Sequence, residues 1–131
     1  MTSQLHSLWF SSTVLHGDKS GRQIGFPTIN LDPKAMPLGS EEGVYASEVR
    51  VADKIYVGAL YFGPRSVKNE VFNVLEIHIL NFSQEIYGQT VSFKVGTFIR
   101  PVIHFTKLSE LKTQLAEDIA AIQKDETLHA K

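Results

Sequence analysis

The sequence contains no cysteine among its 131 residues. Disulfides, thiolate nucleophiles and cysteine-ligated zinc or iron–sulfur sites are therefore excluded. A reducing compartment fits this composition, and we expect a cytoplasmic protein. No apolar run approaches the roughly 20 residues of a membrane span, and residues 1–10 lack the charged start and apolar core of a signal peptide. We therefore expect a soluble protein that binds no membrane.

An excess of charge of one sign is also missing. The chain carries 13 Lys and Arg against 14 Asp and Glu, which gives a formal net charge of −1. Nucleic-acid-binding surfaces combine many basic residues with interleaved aromatic side chains, and no such pattern occurs here. We predict no nucleic-acid partner, and any anionic ligand must be held by local groups.

The residues that are present are sufficient for one domain. The hydrophobic residues make up 43% of the chain, which can form a real core at this length. No repeat, low-complexity block or interdomain linker interrupts the sequence. We therefore expect a single domain over 1–131, with ends that fray at about 1–10 and 126–131, and a monomer.

From Gly43 onward the pattern is typical of β-strands. Gly43–Val51 and Ile55–Gly63 are rich in β-branched and aromatic residues, and a turn at Asp53-Lys54 would join them as a hairpin. Two further strands are predicted over Val71–Phe82 and Thr90–Ile99. Strand side chains alternate between faces, so one face of each predicted strand collects apolar residues. These residues are Leu75, Ile77 and Ile79 in the first of the two, and Val91, Phe93 and Val95 in the second.

The last element has the period of a helix. Apolar residues recur at steps of three and four, which forms one stripe on a helix, and Thr106 is a candidate N-cap. The stripe consists of Leu108, Leu111, Leu115, Ile119 and Ile122. The charged residues expected to face water are Glu110, Lys112, Glu117, Asp118 and Lys124. Short strands followed by one amphipathic helix predict a mainly β protein, a closed or nearly closed antiparallel barrel with a helix packed on it.

Glycine is concentrated in one early segment. The stretch "GRQIGFPTINL" over 21–31 follows another glycine, Gly17, and the whole region 13–31 is predicted to be a strand, a glycine loop and a second strand. The order of Gly, Lys and Ser does not match a P-loop, which needs Gly-x4-Gly-Lys-Ser/Thr before a helix. A glycine loop can still expose backbone N–H groups to an anion, with Lys19 or Arg22 adding charge. The alternative is a plain β-turn with solvated charges.

Two polar residues follow this loop on an extended segment. Thr28 and Asn30 are two residues apart, so they share one face of the predicted strand at a separation of about 7 Å. A hydroxyl and an amide oxygen are neutral oxygen ligands, suited to Mg²⁺ that is shared with phosphate. The alternative is that both side chains only satisfy backbone groups of the turn.

A carboxylate stands in the middle of the predicted strand over 71–82. Glu76 shares a face with Val74 and His78, on either the solvated side of the sheet or in a pocket. In a pocket it could act as a general base, since partial removal from water makes a carboxylate a better proton acceptor. Otherwise Glu76 is solvated or salt-bridged and His78 is a satisfied structural histidine. No serine or aspartate motif supports a catalytic triad.

Together these motifs resemble the riboflavin kinase (flavokinase) family. The resemblance rests on the glycine loop with "GFPTINL", then "GVY" at 43–45, "EIHIL" at 76–80, "YG" at 87–88, and "FIR" at 98–100 before the leucine-rich helix. These motifs occur in order over nearly the whole chain. The chain resembles the kinase domain of bacterial bifunctional riboflavin kinase/FAD synthetases, as either a stand-alone kinase domain or a domain excised from a longer protein.

The resemblance implies a six-stranded Greek-key barrel that moves the ATP γ-phosphate to the 5′-hydroxyl of riboflavin, giving FMN and ADP. It further implies roles for individual residues. Gly17, Gly21, Arg22, Thr28 and Asn30 would bind ATP, with Thr28 and Asn30 also holding Mg²⁺. Glu76 would take the hydroxyl proton, and Arg100 and Glu110 would border the flavin. The partners that we expect are therefore riboflavin, ATP, FMN and ADP.

Two segments depart from the family pattern. The loop after Gly63 reads "PRSVKNEVF" instead of an Asn-Pro-Thr-Phe-like turn, and Val102 and Ile103 follow the Arg-Pro pair where an acidic residue is common. These departures motivate an alternative, a flavin- or nucleotide-binding barrel that has lost turnover. A third hypothesis is a small barrel that binds RNA or a protein partner. Too few residues precede Gly17 for an adenylyltransferase domain, so we expect no FAD synthesis.

Overall fold

The computed structural model describes residues 7–16, 25–67 and 70–128. Within these ranges the chain forms seven strands, one α-helix and a 3₁₀ turn at Pro33–Ala35. The strands are β1 (Phe10–Thr13), β2 (Ile29–Leu31), β3 (Gly43–Val51), β4 (Lys54–Val67), β5 (Glu70–Ile79), β6 (Thr90–Phe93) and β7 (Phe98–Pro101). The helix, α1, covers Leu108–Gln123.

The strands form an antiparallel barrel that is nearly closed. The sheet order is β1-β6-β3-β4-β5-β2, and β7 also pairs with β3. Strands β3, β4 and β5 are sequential neighbours, and β6 returns to the far side of β3, which is a Greek key. An isolated bridge between Leu15 and Asn30 brings the end of β1 to β2. The predicted fold class, a mainly β barrel with one C-terminal helix, is confirmed.

The strand count differs from the expected six because one strand is interrupted. The predicted strand over Thr90–Ile99 is split into β6 and β7, which both pair with β3. The intervening backbone still follows β3, since Gly96 N–H donates to Ala46 O at 2.9 Å. A Cβ at Gly96 would lie 2.7 Å from that same oxygen, so the close approach requires glycine. The interruption is therefore a local irregularity on the side of β3 that faces away from β4.

The hairpin of β3 and β4 is confirmed, but β4 is longer than predicted. Its pairing with β3 runs from Val51↔Lys54 to Gly43↔Phe62, and its pairing with β5 continues to Val67. Pro64 lies beyond the last β3 partner, at a sheet edge where its missing N–H costs little. Residues 64–67 and 70–72 are therefore strand, where a loop was expected. Strand β5 ends at Ile79, earlier than predicted, and Asn81 has a left-handed φ of 58°.

The barrel interior is filled by alternate residues of the strands. The predicted apolar faces are confirmed, since Leu75, Ile77 and Ile79 in β5 and Val91 and Phe93 in β6 are all buried. Residues of the opposite parity are also covered on part of β3, where Ala46 lies in a second cluster with Val57 and Ile122. Strand β3 is thus buried on both faces, which explains its imperfect alternation.

Helix α1 packs on the outside of the barrel against β4 and β7. Its apolar stripe becomes more buried along the helix, from an exposed Leu108 to a fully buried Ile122. Leu128, which falls in the segment expected to fray, is also buried. The predicted N-cap at Thr106 was wrong, since Lys107 occupies that position without a side-chain cap. No helix in the described ranges is long and apolar enough to cross a bilayer.

Candidate active site

The Pro-Thr-Ile-Asn segment lies beside the middle of β5. In β2, Ile29 and Leu31 are buried in the barrel core, so Asn30 projects to the opposite face. Asn30 is the direct register partner of Glu76 across β2 and β5. Register partners in an antiparallel pair share a face, with Cβ atoms about 5 Å apart. The sheet therefore brings together two of the predicted site residues, Asn30 and Glu76.

Thr28 and Glu76 are in direct contact. The Thr28 hydroxyl donates a hydrogen bond of 2.9 Å to Oε1 of Glu76. Glu76 is only 5% exposed, so its carboxylate lies in a pocket and not on the solvated side of the sheet. The three oxygen-bearing side chains that the sequence singled out, Thr28, Asn30 and Glu76, thus lie on one face of the β2–β5 pair.

Arg65 is the ionic partner of this carboxylate. Its guanidinium NH2 group forms an ion pair with Oε2 of Glu76, while Thr28 is bonded to Oε1. Arg65 lies in the part of β4 that the sequence had suggested to be an uncertain loop. With Arg65 opposite Phe72 and Tyr61 opposite Glu76, the β4–β5 register puts Arg65 and Glu76 on one face of the sheet, and the long Arg65 side chain reaches the carboxylate. Sequence reasoning missed Arg65 because it did not extend β4 beyond Gly63.

His78 fixes the backbone that carries Thr28. Its Nδ1 atom lies 2.7 Å from the carbonyl oxygen of Pro27. Since a carbonyl oxygen only accepts, Nδ1 carries the hydrogen in this contact. The ring of Phe26 meets the ring of His78 edge-on, with centroids 5.4 Å apart. His78 is therefore a structural support for the Pro27-Thr28 segment, which was one of the two alternatives for this residue.

Two cavities share Thr28 in their walls. The first, of about 270 Å³, lies between the barrel and helix α1 and is mostly apolar; we call it the helix cavity. Glu76, Arg65, Arg100, Leu111 and Leu115 contribute to its wall. The second, of about 300 Å³, is formed by Pro27 to Ile29, two β5 residues and the segment from Phe82 to Glu85; we call it the loop cavity. Thr28 lines both.

Tyr61 contributes a protonated phenol to the helix cavity. Burial raises the pKa of Tyr61 above its ordinary value of 10.0, and the positive charge of Arg65 opposes this while the carboxylate of Glu76 adds to it. The phenol donates to the carbonyl oxygen of Pro64 at 2.7 Å. This bond fixes the backbone next to Arg65, so the position of the Arg65 side chain is supported by a neutral Tyr61.

Arg100 lies in the wall of the helix cavity, but its guanidinium is ion-paired with a carboxylate of helix α1. Its Nε and NH2 groups donate to the two carboxylate oxygens of Asp118, both at 2.8 Å. The prediction that Asp118 faces water was wrong, since it is 2% exposed and also accepts from Gln114. A buried carboxylate needs this pairing because desolvation of an isolated charge is very unfavourable. The pair attaches α1 to β7.

The structure does not bring the remaining predicted site residues to the cavity wall or does not describe them. Glu110 is exposed in the first turn of α1, where it accepts from the Thr106 hydroxyl at 3.2 Å, and it does not contribute to the cavity wall. The predicted phosphate loop, with Gly17, Gly21 and Arg22, lies outside the described residues. The chain enters that loop beside the site, because Leu15 N–H donates to Asn30 O at 2.7 Å.

Comparison with known proteins agrees with the sequence resemblance. Residues 5–125 match the Flavokinase family, described as riboflavin kinase. A bifunctional riboflavin kinase/FMN adenylyltransferase from Haemophilus influenzae is 40% identical over 109 residues, which is 81% of this chain and 34% of that protein. The protein of the same description from Listeria monocytogenes is 38% identical over 81% of this chain and 34% of its own length.

A solved structure shares the fold. A crystal structure described as a macrolide-efflux protein from Streptococcus pneumoniae superimposes with a TM-score of 0.77 and 28% identity, covering 91% of this chain and 39% of that one. The chain thus spans only about a third of the length of the relatives it matches. Because the family match covers nearly the whole sequence, the chain belongs to the riboflavin kinase (flavokinase) family.

Proposed function

We propose that this chain transfers the γ-phosphate of ATP to the 5′-hydroxyl of riboflavin, giving FMN and ADP. The observation that carries this proposal is the contact between Glu76 and Thr28, the residue that lines both cavities. A phosphotransferase needs one space for the phosphate donor and one for the acceptor, with the reacting groups in line where the two meet. Family membership supplies the identity of the two substrates.

The difference between the two cavities supports an assignment of the substrates. The helix cavity has an apolar wall from Phe26, Leu111 and Leu115, which suits the flat ring system of a flavin. Its polar groups, Glu76 and Arg65, are gathered where it meets Thr28. The loop cavity therefore remains for the nucleotide. In this arrangement the ribityl chain extends from the apolar wall towards Glu76.

Glu76 is positioned to accept the proton of the attacking hydroxyl. As the hydroxyl oxygen forms a bond to the γ-phosphorus, the bond from that phosphorus to the bridging oxygen of ADP breaks, and ADP leaves with the electron pair. The hydroxyl proton passes to a carboxylate oxygen of Glu76, so charge is conserved. Thr28 holds Oε1 of this carboxylate and Arg65 holds Oε2, which fixes its orientation towards the cavity.

The residues present fit a magnesium ion shared with ATP phosphates. Because the Thr28 hydroxyl donates its hydrogen to Glu76, the lone pairs of its oxygen remain for a cation. Asn30, on the same face, offers an amide oxygen, and Mg²⁺ in phosphotransfer sites uses few protein oxygens together with phosphates. Among the described residues no cluster of three or more His, Asp or Glu could hold a metal by itself. When bound, Mg²⁺ would neutralise phosphate charge during transfer.

A second candidate function follows from the ion pair between Arg65 and Glu76. A carboxylate whose oxygens are already held by a guanidinium and a hydroxyl is a weaker proton acceptor than a free one. If Arg65 never leaves Glu76, the chain would be a flavin- or nucleotide-binding barrel without turnover. This alternative predicts flavin binding with no ADP formation.

Product analysis separates the two functions. Purified protein is incubated with ATP and Mg²⁺, with and without riboflavin, and ADP and FMN are quantified by chromatography. Our proposal predicts that ADP and FMN appear in equal amounts only when riboflavin is present, and that a chelator of divalent cations stops both. Flavin binding without FMN formation would favour the second candidate, and the absence of both binding and turnover would contradict the proposal.

A further inference from the structure

Arg65 lies in the wall of the helix cavity, where a hydrogen bond to the neighbouring backbone supports its position. The residue lies in β4, next to Pro64, whose carbonyl oxygen accepts from the phenol of Tyr61. Its guanidinium pairs with Glu76, and its side chain is 26% exposed whereas that of Glu76 is 7% exposed. Arg65 can therefore be reached from the cavity although its partner is buried.

The other arginine in the described wall of the helix cavity, Arg100, is paired with a different carboxylate. Arg100 binds both carboxylate oxygens of Asp118, and its NH1 group donates to the carbonyl of Pro101 at 3.1 Å. The Arg100 side chain is 12% exposed, and its partner Asp118 takes no part in the chemistry proposed above. By contrast, the counter-ion of Arg65 is the group that accepts a proton during turnover.

The charge of Arg65 loses its partner at the moment of transfer. This step rests on the proposed function. Before transfer, the negative charge of Glu76 balances the positive charge of Arg65. Afterwards the carboxylate carries the hydroxyl proton and is neutral, while a phosphate monoester has formed on the flavin next to it. A guanidinium binds phosphate oxygens in a bidentate manner, so the new phosphate is a stronger partner than the neutral acid.

We propose that Arg65 is a specificity-determining residue that pairs with Glu76 before transfer and with the phosphate of the flavin product afterwards. The site then distinguishes phosphorylated from unphosphorylated flavin through Arg65. Riboflavin, which is neutral, leaves the ion pair intact. FMN competes with the Glu76 carboxylate for the guanidinium, and its affinity depends on how readily Arg65 can leave that carboxylate.

Equilibrium binding of the two flavins to the whole chain tests this proposal without turnover. Quenching of flavin fluorescence gives the Kd of riboflavin and of FMN in the absence of ATP. We expect Arg65→Gln to raise the Kd of FMN by about tenfold or more, because one charge-assisted contact is lost, and to change the Kd of riboflavin by less than about threefold. Arg65→Lys keeps the charge and should recover part of the FMN affinity. Arg50→Gln, which removes a cation stacked on Trp9, is the matched control and should change neither Kd.

Glu76→Gln gives an independent and opposite expectation. Removal of the carboxylate frees Arg65, so FMN should bind more tightly while the Kd of riboflavin stays close to that of the unmodified chain. This variant decides the question if Arg65→Gln does not fold, which thermal melting would show. The proposal would be overturned if Arg65→Gln lost affinity for riboflavin and FMN equally, or if Glu76→Gln left the affinity for FMN unchanged. Failure of the unmodified chain to bind either flavin would overturn the proposed function itself.

Discussion

Thr28 donates a 2.9 Å hydrogen bond to Glu76 from a position in the wall of both cavities. One hydroxyl therefore connects the space assigned to ATP with the residue assigned to proton transfer. Thr28→Val keeps the shape of the side chain and removes the oxygen. We expect kcat/KM for ATP to fall by about 10- to 100-fold, since a bond to a charged group and a cation ligand are both lost.

Thr28→Ser is the matched control for this change. It retains the hydroxyl and should keep most of the activity, measured by steady-state kinetics with ATP varied at saturating riboflavin. If the valine and serine variants lose activity equally, the methyl group and not the oxygen is important, and the assignment of Thr28 as a ligand would be wrong.

The ion pair between Arg100 and Asp118 should be a main attachment of helix α1. Asp118→Asn leaves the Arg100 guanidinium buried beside a neutral amide, and loss of one partner from a buried pair costs about 3 kcal/mol or more. We expect the free energy of unfolding, measured with urea, to fall by about that amount. Glu117→Gln, at the exposed neighbouring position, should have little effect. Similar stabilities of the two variants would show that Asp118 does not hold the helix.

The phenol of Tyr61 should make stability sensitive to alkaline pH. Because burial raises the pKa of Tyr61 in the folded protein, the unfolded chain releases this proton first, near the ordinary value of 10.0. The contribution of Tyr61 to stability is therefore complete below that pH and is lost as pH rises through the folded pKa. Tyr61→Phe has no ionisable hydroxyl, so it should lack the part of the alkaline loss of stability that Tyr61 causes.

The test is a series of urea unfolding curves from about pH 8 to about pH 11. The unmodified protein should lose stability more steeply above about pH 10 than Tyr61→Phe does. The burial of Tyr45 also raises its pKa, so the variant should retain part of the alkaline loss. Parallel stability curves for the two proteins would contradict the raised pKa of Tyr61.

The elements that the sequence predicted correctly are those governed by local alternation. The hairpin of β3 and β4 and the buried face of β5 follow from side-chain period and β-branched residues, which act over a few positions. The same period placed Thr28 and Asn30 on one face. Their meeting with Glu76, by contrast, depends on the register of β2 against β5, which the sequence alone does not specify.

Two failures have identifiable physical causes. A loop was expected after Gly63 because a turn is usual there in the family, so Arg65 was not placed next to Glu76. The structure continues β4 instead, because the end of β3 leaves a free edge that tolerates Pro64. Asp118 was assigned to water because it is charged. Its spacing of three from Leu115 and four from Ile122 nevertheless places it within the apolar stripe, and this spacing was a signal that it needed a buried cation.

Glu76 carries the central claim, since it is the proposed proton acceptor beside Thr28, the residue that lines both cavities. Glu76→Gln keeps its size and removes its basicity, so we expect kcat for FMN formation to fall by about 10²- to 10⁴-fold. The matched control is Glu48→Gln, because Glu48 is also buried and ion-paired, with Lys94 at 3.3 Å, but does not contribute to either cavity wall.

The most direct measurement is therefore the rate of riboflavin-dependent ADP release, compared among the unmodified chain, Glu76→Gln and Glu48→Gln at saturating substrates. Our account predicts a large fall in kcat for Glu76→Gln alone, with riboflavin binding retained. A Glu76→Gln variant that turns over at the rate of the unmodified chain would contradict it.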